Sequence, residues 1–138
     1  MVARLRRLAP LAAALTLIVV VSAAAATTGV KGSSGPLKAT LTASTHTPKI
    51  NQKVPITVRA TLSGKPAHAT AVYQFLLAGI QIAPTQYPFN NKHFSFTGHY
   101  SDSLVFPAAS VGQPLTLRVV VKASGHTVNL KWAITSHK

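Results

Sequence analysis

The chain has almost no acid. Across 138 residues one Asp or Glu stands against 14 Lys and Arg, a formal charge of +13. The acid is Asp102, and cysteine is absent as well. Each absence removes a class of chemistry. Without a second carboxylate there is no acid–base pair for glycoside hydrolysis and no oxygen cage for calcium. Without thiols there is no thiolate zinc or iron–sulfur site, no cysteine nucleophile, no blue-copper centre and no disulfide. A lipid anchor on cysteine is excluded on the same ground. Nine prolines argue against long helices.

What is present begins with a targeting pattern. Arg4, Arg6 and Arg7 make a positive start, an apolar stretch spans 8–21, and Ser22 with Ala23 to Ala26 offers small-residue cleavage sites. Residues 1–26 therefore read as a signal peptide. The apolar stretch is short against the roughly 20 residues a membrane span needs, and Pro10 interrupts it. An uncleaved signal anchor is the competing reading. Cleavage leaves 11 of the basic residues against Asp102, a charge of +10, so the basicity does not come from the signal. The expected location is secreted, extracellular or associated with the cell envelope. Residues 27–36 (TTGVKGSSGP) read as a flexible Gly/Ser linker. Residues 37–138 suit one domain that holds itself together with its core alone.

That domain reads as β throughout. Apolar and polar residues alternate over 37–43, 54–62, 115–122 and 128–135, which gives each segment one core face and one solvent face. Further strands are expected at 71–77, 80–82, around Phe94 and Phe96, and over 103–106. Turns are expected at Ser63-Gly64-Lys65-Pro66, Ala78-Gly79, 110–114 and Ser124-Gly125. Seven or eight short strands with turns about every ten residues predict a two-sheet antiparallel sandwich.

Gly64-Lys65-Pro66, Val72-Tyr73-Gln74-Phe75, Gly79 and the closing hairpin over 115–121 and 127–134 carry a resemblance. In their order the chain resembles bacterial extracellular immunoglobulin-like domains. The resemblance covers nearly all of 37–138. It implies an immunoglobulin-like β-sandwich and a habit of mediating contacts, and it transfers no catalytic residue. The chain departs from antibody domains in having no Cys pair and in placing its single tryptophan, Trp132, in the last strand rather than the third. Strand order stays open at this point, a transthyretin-like sandwich included.

Three constellations bear on chemistry. Asp102 lies in His99-Tyr100-Ser101-Asp102-Ser103, but neighbours on one strand or turn cannot adopt triad geometry, and no Gly-x-Ser-x-Gly elbow supplies a nucleophile. It is expected to bond local backbone amides or start a turn. Six histidines are scattered; only His93 and His99 share parity on a continuous strand, and Gly98 stands between them. A His-based metal-binding protein is thus a remote alternative, and no metal or cofactor is expected. The third constellation is the cations at outward strand positions: Lys38, Arg59, Arg118, Lys122 and Lys131. A field of this strength attracts polyanions. Gly64-Lys65 has no Walker spacing before it, and no helix is available to enter a nucleic-acid groove, so sequence-specific nucleic-acid binding is not expected.

Most aromatics alternate as core. Tyr87 and Phe89 lie in a loop with Pro84 and Pro88 and are the candidates for a contact surface, against the alternative that they cap the sandwich. The sequence therefore predicts a non-enzymatic, exported binding or structural module. Its expected partner is an anionic cell-envelope polymer, with Tyr87, Phe89, Lys38, Arg59, Arg118, Lys122 and Lys131 as binding residues. The alternative is an anchored domain that docks to a protein partner by an exposed sheet edge.

Overall fold

A computed structural model of the protein describes residues 29–82 and 89–138. The expected signal peptide and Tyr87 lie outside the described residues.

The alternating segments form strands: β1 (Gly29–Ser34), β2 (Leu37–Ala43), β3 (Lys53–Leu62), β4 (Lys65–Pro66), β5 (His68–Leu77), β6 (Ile80–Gln81), β7 (His93–Thr97), β8 (His99–Val105), β9 (Leu115–Ala123) and β10 (His126–Ile134). Eight of them run five residues or more, the upper end of the expected number; β4 and β6 are two-residue arms of tight hairpins. Among the described residues the protein is all-β apart from a single 3-10 turn, Ala108–Ser110. No helix among them is long and apolar enough to cross a membrane.

Two antiparallel sheets result. In the first, β1, β2, β3 and β8 lie in that order, with β4 also against β3; in the second the order is β10, β9, β5, β7, with β6 also against β5. Their inner faces share one core, in which Leu37, Leu41 and Val58 of the first sheet meet Tyr73, Leu117 and Trp132 of the second. Period-two placement of the apolar residues is the cause: every second residue of β2 and β9 is buried, and likewise in β3 and β10 except at the half-buried Leu62 and His126.

The turns obey the chemistry that tight hairpins demand. A two-residue hairpin that matches the strand twist needs positive φ at both central positions. Ser124 and Gly125 supply it with φ 48° and 76°. Ser63-Gly64 and Ala78-Gly79 repeat the device.

Part of the expected linker is a strand. Within residues 27–36, read from composition as a flexible linker, Gly29–Ser34 form β1, paired with β2 along all six residues. The glycine there answers to a close approach rather than to mobility. A Cβ on Gly32 would stand 2.6 Å from Val128 Cγ1 and 3.3 Å from Leu130 Cδ2 of β10. β1 thereby brings the edge of the first sheet against the second. Gly32→Val is expected to cost about 1–3 kcal/mol through overpacking, read as a lower urea midpoint. An unchanged midpoint would show that β1 does not seat on β10.

The chain after β10 closes the same side. Residues 135–137 run alongside 46–50, with Thr135 N–H donating to the His46 carbonyl at 2.9 Å and His137 N–H to the Pro48 carbonyl at 3.0 Å. At the opposite side Gly98, with φ 79°, turns the chain from β7 in the second sheet into β8 in the first.

Candidate anion-binding surface

Register decides which outward side chains become neighbours. In the first sheet Lys31 pairs with Thr40, Thr40 with Arg59, and Arg59 with His99, so these four form one row across four strands. Lys38 stands one step along, opposite Ser33 on one side and Thr61 on the other. It is therefore diagonal to both Lys31 and Arg59, about 7 Å from each at the β-carbons. Lys31, Lys38, Arg59 and His99 are all exposed. Together with Ser33, Thr40 and Thr61, the first three line a shallow hollow of about 510 Å³. Three cations and three hydroxyls converge there. Arg59 adds the planar fork that matches phosphate, sulfate or carboxylate oxygens.

The second sheet presents a different set on the opposite outer face. Lys131 lies directly across from Arg118, and Arg118 across from Gln74. Like charges directly opposite repel, and the Arg118 head group turns toward β5, donating from Nε to Gln74 Oε1 at 2.6 Å. Lys122, four residues along β9, shares the row of Thr70, Ser95 and Thr127. Beside it lies a second hollow of about 450 Å³, lined also by Val72, His93 and Val120.

The one acid is on neither face. Asp102 sits opposite Ile56 in the β3–β8 pairing, with inner-face parity, and is only 16% exposed. Its Oδ2 accepts from Lys92 Nζ at 2.8 Å, from the Tyr73 hydroxyl at 3.2 Å and, more weakly, from the Tyr100 hydroxyl at 3.5 Å. Its Oδ1 accepts from Ser103 N–H at 2.8 Å, the local backbone bond expected of it. Of the two expected roles, local amide bond or start of a turn, the first is the one found, since Asp102 lies within β8. Phe94 stacks on Tyr100 with ring centres 4.2 Å apart, and the cluster ties β5 and β7 to β8 at the side where Gly98 makes the corner.

The charges follow this geometry. Burial pushes the Asp102 carboxyl up, but the hydrogen bonds from Lys92 and Ser103 and the Lys92 charge outweigh it and hold the group below the usual carboxylate range. The bond to Asp102, then that to Tyr100, raises Lys92. Burial first, and the Asp102 charge second, drives the Tyr73 phenol far above its ordinary range. Asp102 thus adds stability above about pH 4, its unfolded value, and loses it as pH falls through its lower folded value. Lys92 adds stability that is complete below about pH 10 and lost as pH rises through its higher folded value. Between these limits the pair leaves stability flat with pH.

Lys92 keeps 37% of its side chain in water, so losing its partner costs it little. The Tyr73 hydroxyl, on a fully buried residue, is the group that Asp102→Ala strands. About 1–3 kcal/mol is the expected loss at pH 7, with a difference from wild type that shrinks toward pH 3. Urea melts at the two pH values check it; an equal loss at both would refute the ion-pair account.

The remaining sequence candidates are dispersed. His93 is in the second sheet and His99 in the first, so the corner at Gly98 separates them. Among the described residues no three His, Cys, Asp or Glu side chains form a group that could hold a metal ion. Phe89 is half-buried and packs against the core, which removes most of it from any contact surface. Next to it the buried Asn90 accepts from Phe75 N–H at 3.2 Å and donates to the Ile82 carbonyl at 2.9 Å, pinning the base of the loop to β5 and to the end of the β5–β6 hairpin.

The chain matches no family model, no curated protein and no solved structure. Its cations at Lys38, Arg59, Arg118, Lys122 and Lys131 were visible as outward strand positions. Lys31 was not, because its Gly/Ser surroundings read as linker; the one signal for it was the local alternation Val30-Lys31-Gly32. His99 joins Arg59 only through the β3–β8 register.

Proposed function

We propose that the protein is an exported, non-enzymatic immunoglobulin-like domain that holds an anionic cell-envelope polymer on the outer face of its first sheet. The observation that carries this reading is the placement of Asp102. The only acid in the chain faces inward and is bonded to Lys92, so neither outer face has a carboxylate to neutralise its cations. A solubility role is served by scattered charge. Lys31, Lys38 and Arg59 instead crowd around one hollow, an electrostatic cost that a bound anion offsets.

The immunoglobulin-like part of the reading is supported by strand order. With the short arms and β1 set aside, the first, second and fifth strands share one sheet and the third, sixth and seventh share the other. That is the immunoglobulin partition, apart from the fourth strand, β7, which pairs with β5 here rather than with β8.

Retention of the protein on cell envelopes across a salt series tests the function. Binding that survives about 0.15 M salt, where exposed charges more than about 8 Å apart are largely screened, is expected of a built surface. Retention confined to very low salt would reduce the cations to diffuse charge, and no retention at any salt would end the reading.

A further inference from the structure

The cations on the two outer faces point away from each other. Lys31, Lys38 and Arg59 belong to β1, β2 and β3 of one sheet; Arg118, Lys122 and Lys131 belong to β9 and β10 of the other. Each face has its own hollow: about 510 Å³ on the first, lined by Lys31, Lys38 and Arg59 with three hydroxyls, and about 450 Å³ on the second, lined by Lys122 with Thr70 and Ser95, while Arg118 and Lys131 stand outside it on the same face. Between the faces lies the shared core, with the sheets about 10 Å apart at their backbones. A polymer strand lying on one face does not reach the other without wrapping a sheet edge.

We propose that the domain is bivalent toward linear polyanions, holding one strand on each outer face and so cross-linking them. The proposal rests on the anionic-polymer reading above and extends it from holding to bridging. A second observation supports the second face independently: Lys131 is exposed directly opposite Arg118, whose head group turns to Gln74, and the chain's one acid is bonded to Lys92, so no carboxylate neutralises this pair. A linear polymer also fits this surface better than a lipid bilayer. A bilayer engages one face only, and Ile80, in the β5–β6 hairpin, is the only large apolar side chain strongly exposed among the described residues.

Linear inorganic polyphosphate is the probe. Long chains titrated with the protein are expected to aggregate near equivalence and to disperse again in protein excess, as a bivalent linker requires. Calorimetry with short chains is expected to give two strands per protein. Three variants each remove three positive charges. The first carries Lys31→Gln, Lys38→Gln and Arg59→Gln; the second carries Arg118→Gln, Lys122→Gln and Lys131→Gln. A control carries Lys49→Gln, Lys65→Gln and Lys138→Gln, away from both hollows.

The two face variants are expected to bind one short strand each and to lose aggregation. The control is expected to keep two strands and to aggregate as wild type does. Aggregation that falls equally in all three variants would mean that total charge drives it, and bivalency would be overturned while binding stands. One strand per wild-type protein would overturn it likewise. A wild-type protein that binds no polyphosphate would remove both this proposal and the reading beneath it.

Discussion

Lys31→Gln, Lys38→Gln and Arg59→Gln in one chain should weaken polyphosphate binding at the first face about a hundredfold. Basic residues at an anionic surface contribute about 1 kcal/mol each at moderate salt, and three together correspond to about two decades of affinity. The salt dependence is the sharper reading. Each phosphate neutralised on a single-stranded polyanion contributes about 0.7 to the slope of log affinity against log salt, so loss of three contacts should flatten the slope by about 2. Binding through the second face remains. The Lys49, Lys65 and Lys138 variant is the control that matters, because it removes the same net charge from sites outside both hollows. A long-range field cannot tell the two triples apart, whereas a built surface can. Equal losses in both would transfer the affinity from the hollow to the overall charge. Single substitutions should show that Lys38 matters most, since it is the one cation diagonal to both of the others.

How much of this was readable beforehand depends on which forces fix each feature. Burial alternates with a period of two, so in-or-out is a local property: the outward positions of Lys38, Arg59, Arg118, Lys122 and Lys131 follow from their own neighbours. The turns are local as well, because Ser124-Gly125 and its two equivalents are set by φ preferences within two residues. Sheet membership is not local. Nothing within β2 or β9 states which of two sheets it joins, and so the division of the cations between opposite faces waits on the long-range register. Asp102 waits on it too. Its carboxylate faces inward because Lys92, ten residues away in another part of the fold, and Tyr73 of the other sheet meet it there. β1 was hidden for a steric reason. The absence of a side chain that makes Gly32 resemble a linker residue is the same property that lets β1 lie against Val128 and Leu130. Composition cannot separate a glycine kept for freedom from one kept for closeness.

Trp132→Ala is the substitution expected to cost most in stability, about 3–5 kcal/mol, a large share of the roughly 5–15 kcal/mol a domain possesses. The side chain is 2% exposed, and the space around it, walled by Ala43, Val54, Leu104 and Leu117, retains a void of only about 10 Å³. Truncation therefore opens a cavity that the neighbours do not already share. The indole has polar and stacking work besides: Nε1–H donates to the Thr45 carbonyl at 3.1 Å, and the His46 ring lies over it at 3.9 Å and 7°. His46 Nδ1 is in turn 2.7 Å from the Ala133 carbonyl, which places the proton on that nitrogen. These contacts hold the 44–50 connection between β2 and β3 against β10. Trp132→Phe should keep most of the volume and lose the bond to Thr45, at a cost of about 1–2 kcal/mol. His46→Ala should cost about 0.5–1.5 kcal/mol, since it removes the stack and leaves the core filled. Urea unfolding of the three variants should give that order with unchanged slopes. If Trp132→Ala fell within 1 kcal/mol of wild type, Trp132 would not be the keystone between the β2–β3 connection and the core. In native buffer each variant should still bind polyphosphate, because none of the three cations around the first hollow touches Trp132 directly. Only Lys31 depends on β10, through the seat of Gly32 on Val128 and Leu130. A fall in affinity that tracks stability across the series would therefore trace to β1 leaving that seat.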